Sequence, residues 1–253
     1  MAFPRLVQPE IMDDPQLDAR QHAAALRGLR RIHTWTGTVG RLWRPIEQLI
    51  VAQGLRELSV LDVGCGDGWI LRQLHRRAAR RGCQLRLIGC DFSPRAVEWC
   101  RRAGDSLGPP IEVHQVDVTR SGLPEVADVV ISCFFLHHFR DPQVISIVAN
   151  MAAAAGRLVV IEDLVRSRWG YALCCLGVQL FSRCRVVHED GPLSVRAAFS
   201  PAELRALLAA AGLPTANVRR CWPERLVVSC AVAGPALGRV PATTPAENPP
   251  HAR

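Results

Sequence analysis

A glycine-rich turn that follows an apolar run constrains the fold of this chain more than any other feature. Residues 58–68 read Leu-Ser-Val-Leu-Asp-Val-Gly-Cys-Gly-Asp-Gly, with glycine at every second position from residue 64. Such a run is typical of a buried parallel strand that feeds a tight turn into a helix. Glycine lets the backbone approach a ligand closely, and open α/β sheets bind ligands at the carboxyl ends of their strands. The segment therefore predicts a nucleoside-type ligand on an α/β, doubly wound sheet.

The spacing of the glycines separates the candidate ligands. A dinucleotide fingerprint reads Gly-x-Gly-x-x-Gly, whereas this chain has Trp69 in place of the third glycine of that pattern. The turn also lacks the Gly-Lys-Ser/Thr ending that cradles a triphosphate. The carboxylate of Asp62 would also repel a pyrophosphate. The turn therefore does not match either pattern of phosphate binding.

The pattern Asp-x-Gly-x-Gly-x-Gly resembles motif I of class I S-adenosylmethionine-dependent methyltransferases. The resemblance implies a Rossmann-like sheet of seven mostly parallel strands with an antiparallel last strand, and S-adenosyl-L-methionine as cofactor. It also implies a role for the turn in binding the amino acid end of the cofactor. The residues to which this role applies are Asp62, Gly64, Cys65, Gly66 and Gly68.

Two further predicted strands end in acidic residues. These strands are residues 85–90 and 111–116, and Ser93-Pro94 predicts the N-cap and first residue of a helix after the first of them. In the family these strand ends bind the ribose and the adenine of the cofactor. The residues concerned are Asp91, Phe92, Asp117 and Val118. The alternative is that the aspartates only form turns.

The exit of the fourth predicted strand, residues 127–133, indicates the acceptor class. It lacks the Asn/Asp/Ser-Pro-Pro-Tyr/Phe motif of base-amine methyltransferases, and the chain has no Pro-Cys dipeptide of the cytosine-5 kind. The exit resembles that of the ubiquinone and menaquinone group of small-molecule methyltransferases. This resemblance implies that Cys133 contacts the cofactor and Phe134 the acceptor. His137 or His138 could take a proton from a phenol, or could only pack the loop.

An insertion at about residues 164–199 carries an uncharged stretch, Trp169 to Phe181, between pairs of arginines. This stretch is shorter than the roughly 20 apolar residues that span a bilayer. We expect a lid, with Trp169 on a lipophilic acceptor, rather than an interfacial helix that makes peripheral membrane contact. The run from His188 to Asp190 is expected to be extended, which makes its adjacent side chains poor joint metal ligands, and no metal site is predicted.

Two other segments of the insertion indicate the class of acceptor and the atom that is methylated. They look like segments of methyltransferases associated with type III polyketide synthases, and they read Val-Val-His-Glu-Asp-Gly-Pro and Ser-Val-Arg-Ala-Ala-Phe. The resemblance implies O-methylation, rather than C-methylation, of a phenolic or quinol small molecule. His188 is a further candidate for removing the phenol proton, and His188 and Arg196 are candidates for contacting the phenolate. Polarity of a surface loop is the alternative.

The organisation follows from these segments. Residues 1–55 predict an N-terminal helical cap broken at Gly37 and Gly40, residues 56–232 the methyltransferase domain, and residues 233–253 a disordered tail. Asp141-Pro142 predicts the N-cap and first residue of the helix after the fourth strand.

Composition sets the remaining expectations. All 31 basic residues are arginine and the net charge is +8, but the densest arginine cluster lies at a predicted helix C-terminus, so no nucleic-acid partner is expected. Ten cysteines without a Cys-x-x-Cys pair, and an N-terminus without an apolar signal core, predict a cytoplasmic protein with free thiols. The sequence does not indicate an oligomeric state. The alternatives are an RNA or protein methyltransferase, a non-catalytic nucleoside-binding protein and an NAD(P) oxidoreductase.

Overall fold

The structure is a computed structural model that describes residues 3–14 and 16–233, without the side chains of residues 103–107. Apart from residue 233, the predicted tail lies outside the described residues. The strands are β1 (Glu57–Val63), β2 (Gln84–Asp91), β3 (Glu112–Gln115), β4 (Ala127–Cys133), β5 (Ala155–Leu164), β6 (Asn217–Cys221) and β7 (Arg225–Ala231). The helices are α1 (Ala19–Thr36), α2 (Thr38–Gln53), α3 (Trp69–Ala79), α4 (Pro94–Leu107), α5 (Asp141–Ala154), α6 (Arg168–Phe181), α7 (Arg185–Ala197) and α8 (Pro201–Ala210).

The strands form one sheet in the order β3-β2-β1-β4-β5-β7-β6. Strand β7 runs antiparallel to both of its neighbours, and the other pairs are parallel. The predicted fold class, seven mostly parallel strands with an antiparallel last strand, is confirmed. Because the chain leaves β1 for β2 on one side and returns to β4 on the other, a crevice opens at the carboxyl ends of β1 and β4.

Successive side chains of a strand point to opposite faces of the sheet, so the hydrophobic core has one part on each face. Leu61 and Val63 of β1 pack with α5 and α8 on one face, whereas Val60 packs with α2, α3 and α4 on the other. Burial of both faces explains why these strands are nearly continuous apolar runs. The two layers of helices fix the strand ends around the crevice.

The helix starts were predicted with one error. Ser93 Oγ accepts from the backbone N–H of Ala96, and Ser200 and Glu203 form the expected capping box of α8. The prediction that Asp141 is the N-cap of α5 is wrong, because the helix begins at Asp141 and the preceding residue, Arg140, is the cap. The backbone N–H of Arg140 donates to Gln143 Oε1 at 3.2 Å, which satisfies the cap from the third position of the helix.

The N-terminal helices are separated at one glycine rather than two. Gly37 has a left-handed backbone with φ +74° and lies between α1 and α2, as predicted. Gly40 lies inside α2, so the predicted second break is wrong. Val39, Leu42 and Trp43 are buried at helical spacing around it, and their packing against the sheet keeps this turn helical.

The insertion between β5 and α8 forms two helices. Residues 185–197 were expected to be extended around His188, but they form α7, because Val186, Val187 and Asp190 are buried at helical spacing. Helices α6 and α7 pack on each other and on α1 through Val178 and Ala25. Within the described ranges, every helix falls short of the length and apolarity needed to cross a bilayer.

Candidate functional site

The glycine turn joins β1 to α3 and is tied to β2. The backbone N–H groups of Gly64 and Cys65 donate to the carbonyl of Cys90 at 2.9 and 3.1 Å. Gly64 has φ +78°, and a Cβ built on it would lie 2.4 Å from Cδ2 of Phe135. Gly66 has φ +54°, and a Cβ built on it would meet no atom within 4 Å. The side of Gly66 on which a side chain would stand therefore faces open space. The turn therefore presents exposed backbone to the crevice.

Asp62 lies beneath this turn and is buried. Its Oδ1 has no hydrogen-bond partner among the described residues. Burial, with a contribution from the charge of Asp91, raises the pKa of Asp62 to about 8. A buried carboxylate oxygen without a partner is costly, and a cationic amine would relieve that cost. The residues present therefore fit a positively charged ligand such as S-adenosylmethionine.

Asp91, at the tip of β2, closes the other side of the turn. Its Oδ2 accepts from the N–H of Gly66 and its Oδ1 from the N–H of Ser93, both at 2.9 Å. Burial raises the pKa of Asp91, and these two backbone hydrogen bonds act in the opposite direction. Each oxygen keeps a lone pair for a further donor. The carboxylate is thus placed to accept ribose hydroxyl groups.

The other predicted cofactor residues are less directly placed. Phe92 is 68% exposed, and Val118 is buried in the core. Asp117 Oδ1 accepts from the N–H and the hydroxyl of Thr119 at 3.0 and 2.6 Å, so this aspartate forms the turn after β3. Burial raises the pKa of the Cys133 thiol well above its usual value. Contacts of these four residues with a cofactor stay predictions.

Helix α1 covers the glycine turn. Arg30 of α1 forms an ion pair with Asp67 in the turn. The ring of His33 stacks on Phe134 with centroids 4.9 Å apart and lies 6.1 Å from the ring of Trp69. Burial, with smaller contributions from two arginines, lowers the pKa of His33 to about 3, so this ring is neutral. The helix thus spans the crevice from α3 to the exit of β4.

The exit of β4 carries a buried histidine between two carboxylates. His137 Nδ1 lies 2.7 Å from Asp163 Oδ1, and its Nε2 lies 3.7 Å from Glu10 Oε1. Burial lowers the pKa of His137, but the carboxylates of Asp163 and Glu10 outweigh it and raise that pKa to about 10. The ring is therefore charged at neutral pH and carries a proton on both nitrogens, of which the one on Nδ1 is donated to Asp163.

His138 lies beside it and is more accessible. The two imidazole rings stack with centroids 4.4 Å apart and planes at 29°. His138 Nδ1 is 3.1 Å from Asp13 Oδ2, and the side chain is 23% exposed. Asp13 and His138 lie close enough to Asp91 that their charges shift its pKa in opposite directions. His138 is therefore on the side of the cluster that is electrostatically coupled to the predicted ribose site.

Two of the carboxylates beside the histidines, those of Glu10 and Asp13, come from the N-terminal part of the chain. Glu10 and Asp13 belong to residues 3–14, which we call the N-terminal segment. The buried carboxylate of Asp190 on α7 accepts from the N–H groups of Ile11 and Met12 at 2.8 and 2.9 Å, which holds this segment in place.

Sequence reasoning missed Glu10, Asp13 and Asp163. Asp163 ends an apolar strand, so the rule applied to the first three strands could have found it. Glu10 and Asp13 belong to no motif and gave no signal.

Three predicted acceptor residues lie on α6 and α7. Nε2 of His188 lies 2.8 Å from the carbonyl of Ser182, Arg196 is exposed, and Trp169 is 60% exposed. The hydrogen bonds and ring contacts found in the described ranges do not join them to His137 or His138. Their contacts with an acceptor stay predictions.

Comparisons with known proteins agree with this geometry. A family model described as a methyltransferase domain matches residues 60–156. The ubiquinone biosynthesis O-methyltransferase of Xanthomonas euvesicatoria pv. vesicatoria is 30% identical over 162 residues, 63% of this chain and 64% of that protein. The indolepyruvate C-methyltransferase of Streptomyces griseus is 32% identical over 144 residues, 53% of this chain and 41% of that protein. The alignments thus cover less than two thirds of these curated relatives.

Solved structures show the same fold at low sequence identity. The plantazolicin methyltransferase BpumL, in complex with a desmethyl analogue and SAH, has a TM-score of 0.67 at 13% identity and covers 88% of this chain and 94% of its own. The magnesium protoporphyrin IX methyltransferase ChlM from Synechocystis PCC 6803 has a TM-score of 0.51 at 18% identity, covering 88% and 90%. The family model identifies residues 60–156 as a methyltransferase domain, and the motif I turn and the strand order agree with the fold of class I S-adenosylmethionine-dependent methyltransferases.

Proposed function

We propose that this chain transfers the methyl group of S-adenosylmethionine to an oxygen of a small lipophilic phenol or quinol. One observation carries the proposal: Glu10, His137 and His138 form a cluster at the exit of β4, and His138 of this cluster is near enough to Asp91 for its charge to lower the pKa of that carboxyl. Polar groups that receive an acceptor hydroxyl there would hold it next to the cofactor. The name of the Xanthomonas relative, an O-methyltransferase of ubiquinone biosynthesis, supports the same acceptor class.

Different residues of the crevice bind the cofactor and the acceptor. S-adenosylmethionine supplies a methyl group on a positively charged sulfur. Asp62 binds the amine of the cofactor, and Asp91 binds the ribose. His138 holds the acceptor hydroxyl and takes its proton as the oxygen bonds to the methyl carbon, the bond from that carbon to sulfur breaks and S-adenosylhomocysteine leaves. Helix α1 excludes water from the reacting atoms. Most of the rate enhancement would come from in-line positioning and a dry site.

Oxygen is favoured over carbon as the methylated atom because the cluster offers hydrogen-bond partners rather than an apolar surface. The indolepyruvate relative is a C-methyltransferase by name, so the relatives alone do not settle this point. A hydroxyl on an aromatic ring suits the imidazoles, which exchange protons near neutral pH in many proteins. An alkyl chain on the acceptor would lie against the apolar insertion.

The outer face of α6 supports a lipophilic acceptor. Trp169, Leu176 and Leu180 are exposed along one side of the helix, with Arg168 before them and Arg183 after them. Apolar side chains at helical spacing with flanking arginines are typical of a helix that lies at a membrane surface. We propose that α6 is a lid on its inner face and a peripheral membrane contact on its outer face.

All ten cysteines are free. Free thiols are typical of a reducing compartment, which supports the proposed cytoplasmic location.

Label transfer tests the proposal. Methyl-labelled S-adenosylmethionine is incubated with short-chain and long-chain alkyl hydroquinones, with total RNA and with a peptide pool. We expect label on the hydroquinone oxygen, with a lower KM for the longer chain. Asp91→Ala should weaken binding of the cofactor, and His138→Ala should lower kcat while cofactor affinity is kept. His114→Ala, in a half-exposed residue of β3, serves as the control.

Label on RNA or peptide, or binding of S-adenosylhomocysteine without methylation of any phenol, would overturn the proposed acceptor class.

A further inference from the structure

The cluster at the exit of β4 has the composition of a metal site. One donor atom from each of Glu10, His137 and His138 lies within 4.8 Å of the other two. Two imidazoles and one carboxylate form a donor set that suits zinc, iron, manganese or cobalt in the divalent state. Calcium and magnesium prefer oxygen donors and are a poorer match.

Carboxylates on the far side of each ring hold both histidines. Asp163 contacts Nδ1 of His137 at 2.7 Å and also accepts from the backbone N–H of the same residue at 3.2 Å. Asp13 contacts Nδ1 of His138 at 3.1 Å. Metal-bound histidines commonly use one nitrogen for the metal and donate the other to a carboxylate, which orients the ring. Both rings therefore keep Nε2 for an ion.

The distances require little rearrangement. Bonds of about 2.1 Å in a tetrahedral zinc site place neighbouring donor atoms about 3.4 Å apart. Nε2 of His137 and Oε1 of Glu10 are already 3.7 Å apart. His138 must approach further, and its side chain is 23% exposed, so the solvent side leaves room for a shift of the ring while Asp13 still holds Nδ1. The 4.8 Å span of the cluster is thus within reach of a closed site.

The local charge also favours a cation. Three carboxylates, those of Glu10, Asp13 and Asp163, lie against the two imidazoles, and the charges of Glu10 and Asp13 also act on a fourth carboxylate, Asp190. Arg5, the nearby arginine that could compensate them, is bound to Asp141 and to the carbonyls of His137 and Phe139. The cluster is therefore an acidic spot in a chain whose net charge is +8. A divalent ion would balance the excess of carboxylates.

We propose that Glu10, His137 and His138 bind one divalent transition-metal ion of the zinc type. The ion displaces the proton of His137 and takes one nitrogen from each ring. Three protein ligands leave at least one coordination position open. This position faces the cofactor end of the crevice, where it would receive the hydroxyl oxygen of the acceptor, a role that rests on the proposed function.

Cobalt provides a direct test that does not use activity. Co²⁺ is titrated into chain stripped with a chelator and dialysed, and visible absorption is recorded. We expect one ion per chain with visible ligand-field bands and without a thiolate-to-cobalt band in the near ultraviolet, since the donors are nitrogen and oxygen. Excess Zn²⁺ should abolish the bands.

Variants assign the ligands. Glu10→Gln and His138→Ala should each weaken Co²⁺ binding at least tenfold, and Asp163→Asn, a change in a positioning residue, about tenfold. His114→Ala should bind like the wild type. Because His137 is buried in an ion pair, the conservative Glu10→Gln change is the decisive variant, with circular dichroism as the check of folding. Equal binding by wild type and Glu10→Gln would mean an adventitious ion only and would overturn the site. The absence of any Co²⁺ binding would also overturn it.

Titration of S-adenosylhomocysteine into the metal-free chain separates the two proposals. If S-adenosylhomocysteine binds and phenols are methylated without any ion, the metal site is wrong and the proposed function stands. If cobalt binds through Glu10 but no phenol is methylated under any condition, the site stands and the proposed function fails.

Discussion

Asp62 and Asp91 lie at the carboxyl ends of adjacent parallel strands, and the charge of Asp91 adds to burial in raising the pKa of Asp62 to about 8. The usual value is 3.8, so the folded chain binds this proton more tightly than the unfolded chain. The free energy of unfolding of the ligand-free chain should therefore fall as pH rises between these two values. The Asp62 carboxylate costs stability at neutral pH so that a cation can be bound there.

Replacing Asp62 with asparagine should remove this loss of stability. Thermal unfolding without ligand is compared at pH 5 and pH 8 for wild type and Asp62→Asn. We expect the variant to be more stable at pH 8 by about 1 to 3 kcal/mol and nearly equal at low pH. Glu57→Gln, which changes an exposed carboxylate of the same strand, is the control. A variant that loses as much stability with rising pH as the wild type would contradict the assignment.

Cofactor affinity should rise with pH, whereas the free energy of unfolding of the ligand-free chain should fall. The ionised form of Asp62 pairs with the cationic amine, so binding must release the proton that the ligand-free chain holds. Calorimetry with S-adenosylmethionine should show affinity that rises between pH 6 and pH 8, by up to about tenfold per unit. Asp62→Asn should bind more weakly at pH 8 and show a flat profile. A flat wild-type profile would mean that Asp62 does not face the amine.

Gly64 and Gly66 should respond differently to alanine. A Cβ at Gly64 meets the ring of Phe135 at 2.4 Å, so Gly64→Ala should unfold at lower temperature, by about 2 to 4 kcal/mol of stability. A Cβ at Gly66 meets nothing within 4 Å, so Gly66→Ala should cost only about 1 kcal/mol of backbone strain. Its methyl group would stand in the crevice, and S-adenosylhomocysteine binding should fall about tenfold or more. Unchanged affinity in Gly66→Ala would place the cofactor elsewhere.

The ion pair between Arg30 and Asp67 should support cofactor retention. Arg30→Gln removes the contact by which α1 holds the glycine turn. A partly exposed pair contributes about 1 kcal/mol, so the dissociation constant of S-adenosylhomocysteine should rise about threefold to fivefold, chiefly through faster release. Arg27→Gln, an exposed change on the same helix, is the control. Identical release rates in all three proteins, measured by stopped-flow fluorescence, would show that α1 does not close the crevice.

The exposed stripe of α6 should bind lipid. The double variant Leu176→Gln/Leu180→Gln should lose at least about fivefold in partitioning to phosphatidylcholine vesicles that contain phosphatidylglycerol. Val51→Gln, which alters a similarly exposed residue on α2, should leave partitioning unchanged. Sedimentation with the vesicles measures the bound fraction. Wild-type chain that stays in the supernatant, or equal losses in both variants, would remove the membrane contact from the proposal.

Local rules predicted the elements that carry the cofactor site. The strand and turn around Asp62, the cap at Ser93 and the capping box at Ser200 each depend on residues within four positions of one another. The error at Asp141 was a shift of one residue, which is common at helix ends. Gly40 was misread because burial of its helical neighbours outweighs the propensity of a single glycine.

The parts of the structure that could not be predicted depend on contacts between residues that are far apart in the sequence. Glu10 reaches His137 from 127 positions away, and Asp13 reaches His138 from 125 positions away, and no periodicity encodes such pairs. Helix α7 was missed because the run from His188 to Asp190 was interpreted as extended, while the burial of Val186, Val187 and Asp190 shows a helical period. That period depends on which side chains the fold buries.

The N-terminal segment supplies two acidic groups of the acceptor end and is held by Asp190, yet it contributes no strand to the sheet. Under the proposed function, two of the groups near the acceptor therefore lie outside the sheet that carries the cofactor residues. Exchange of this short stretch among related enzymes would offer evolution, or a protein engineer, a way to retarget methyl transfer while the nucleoside pocket is inherited intact.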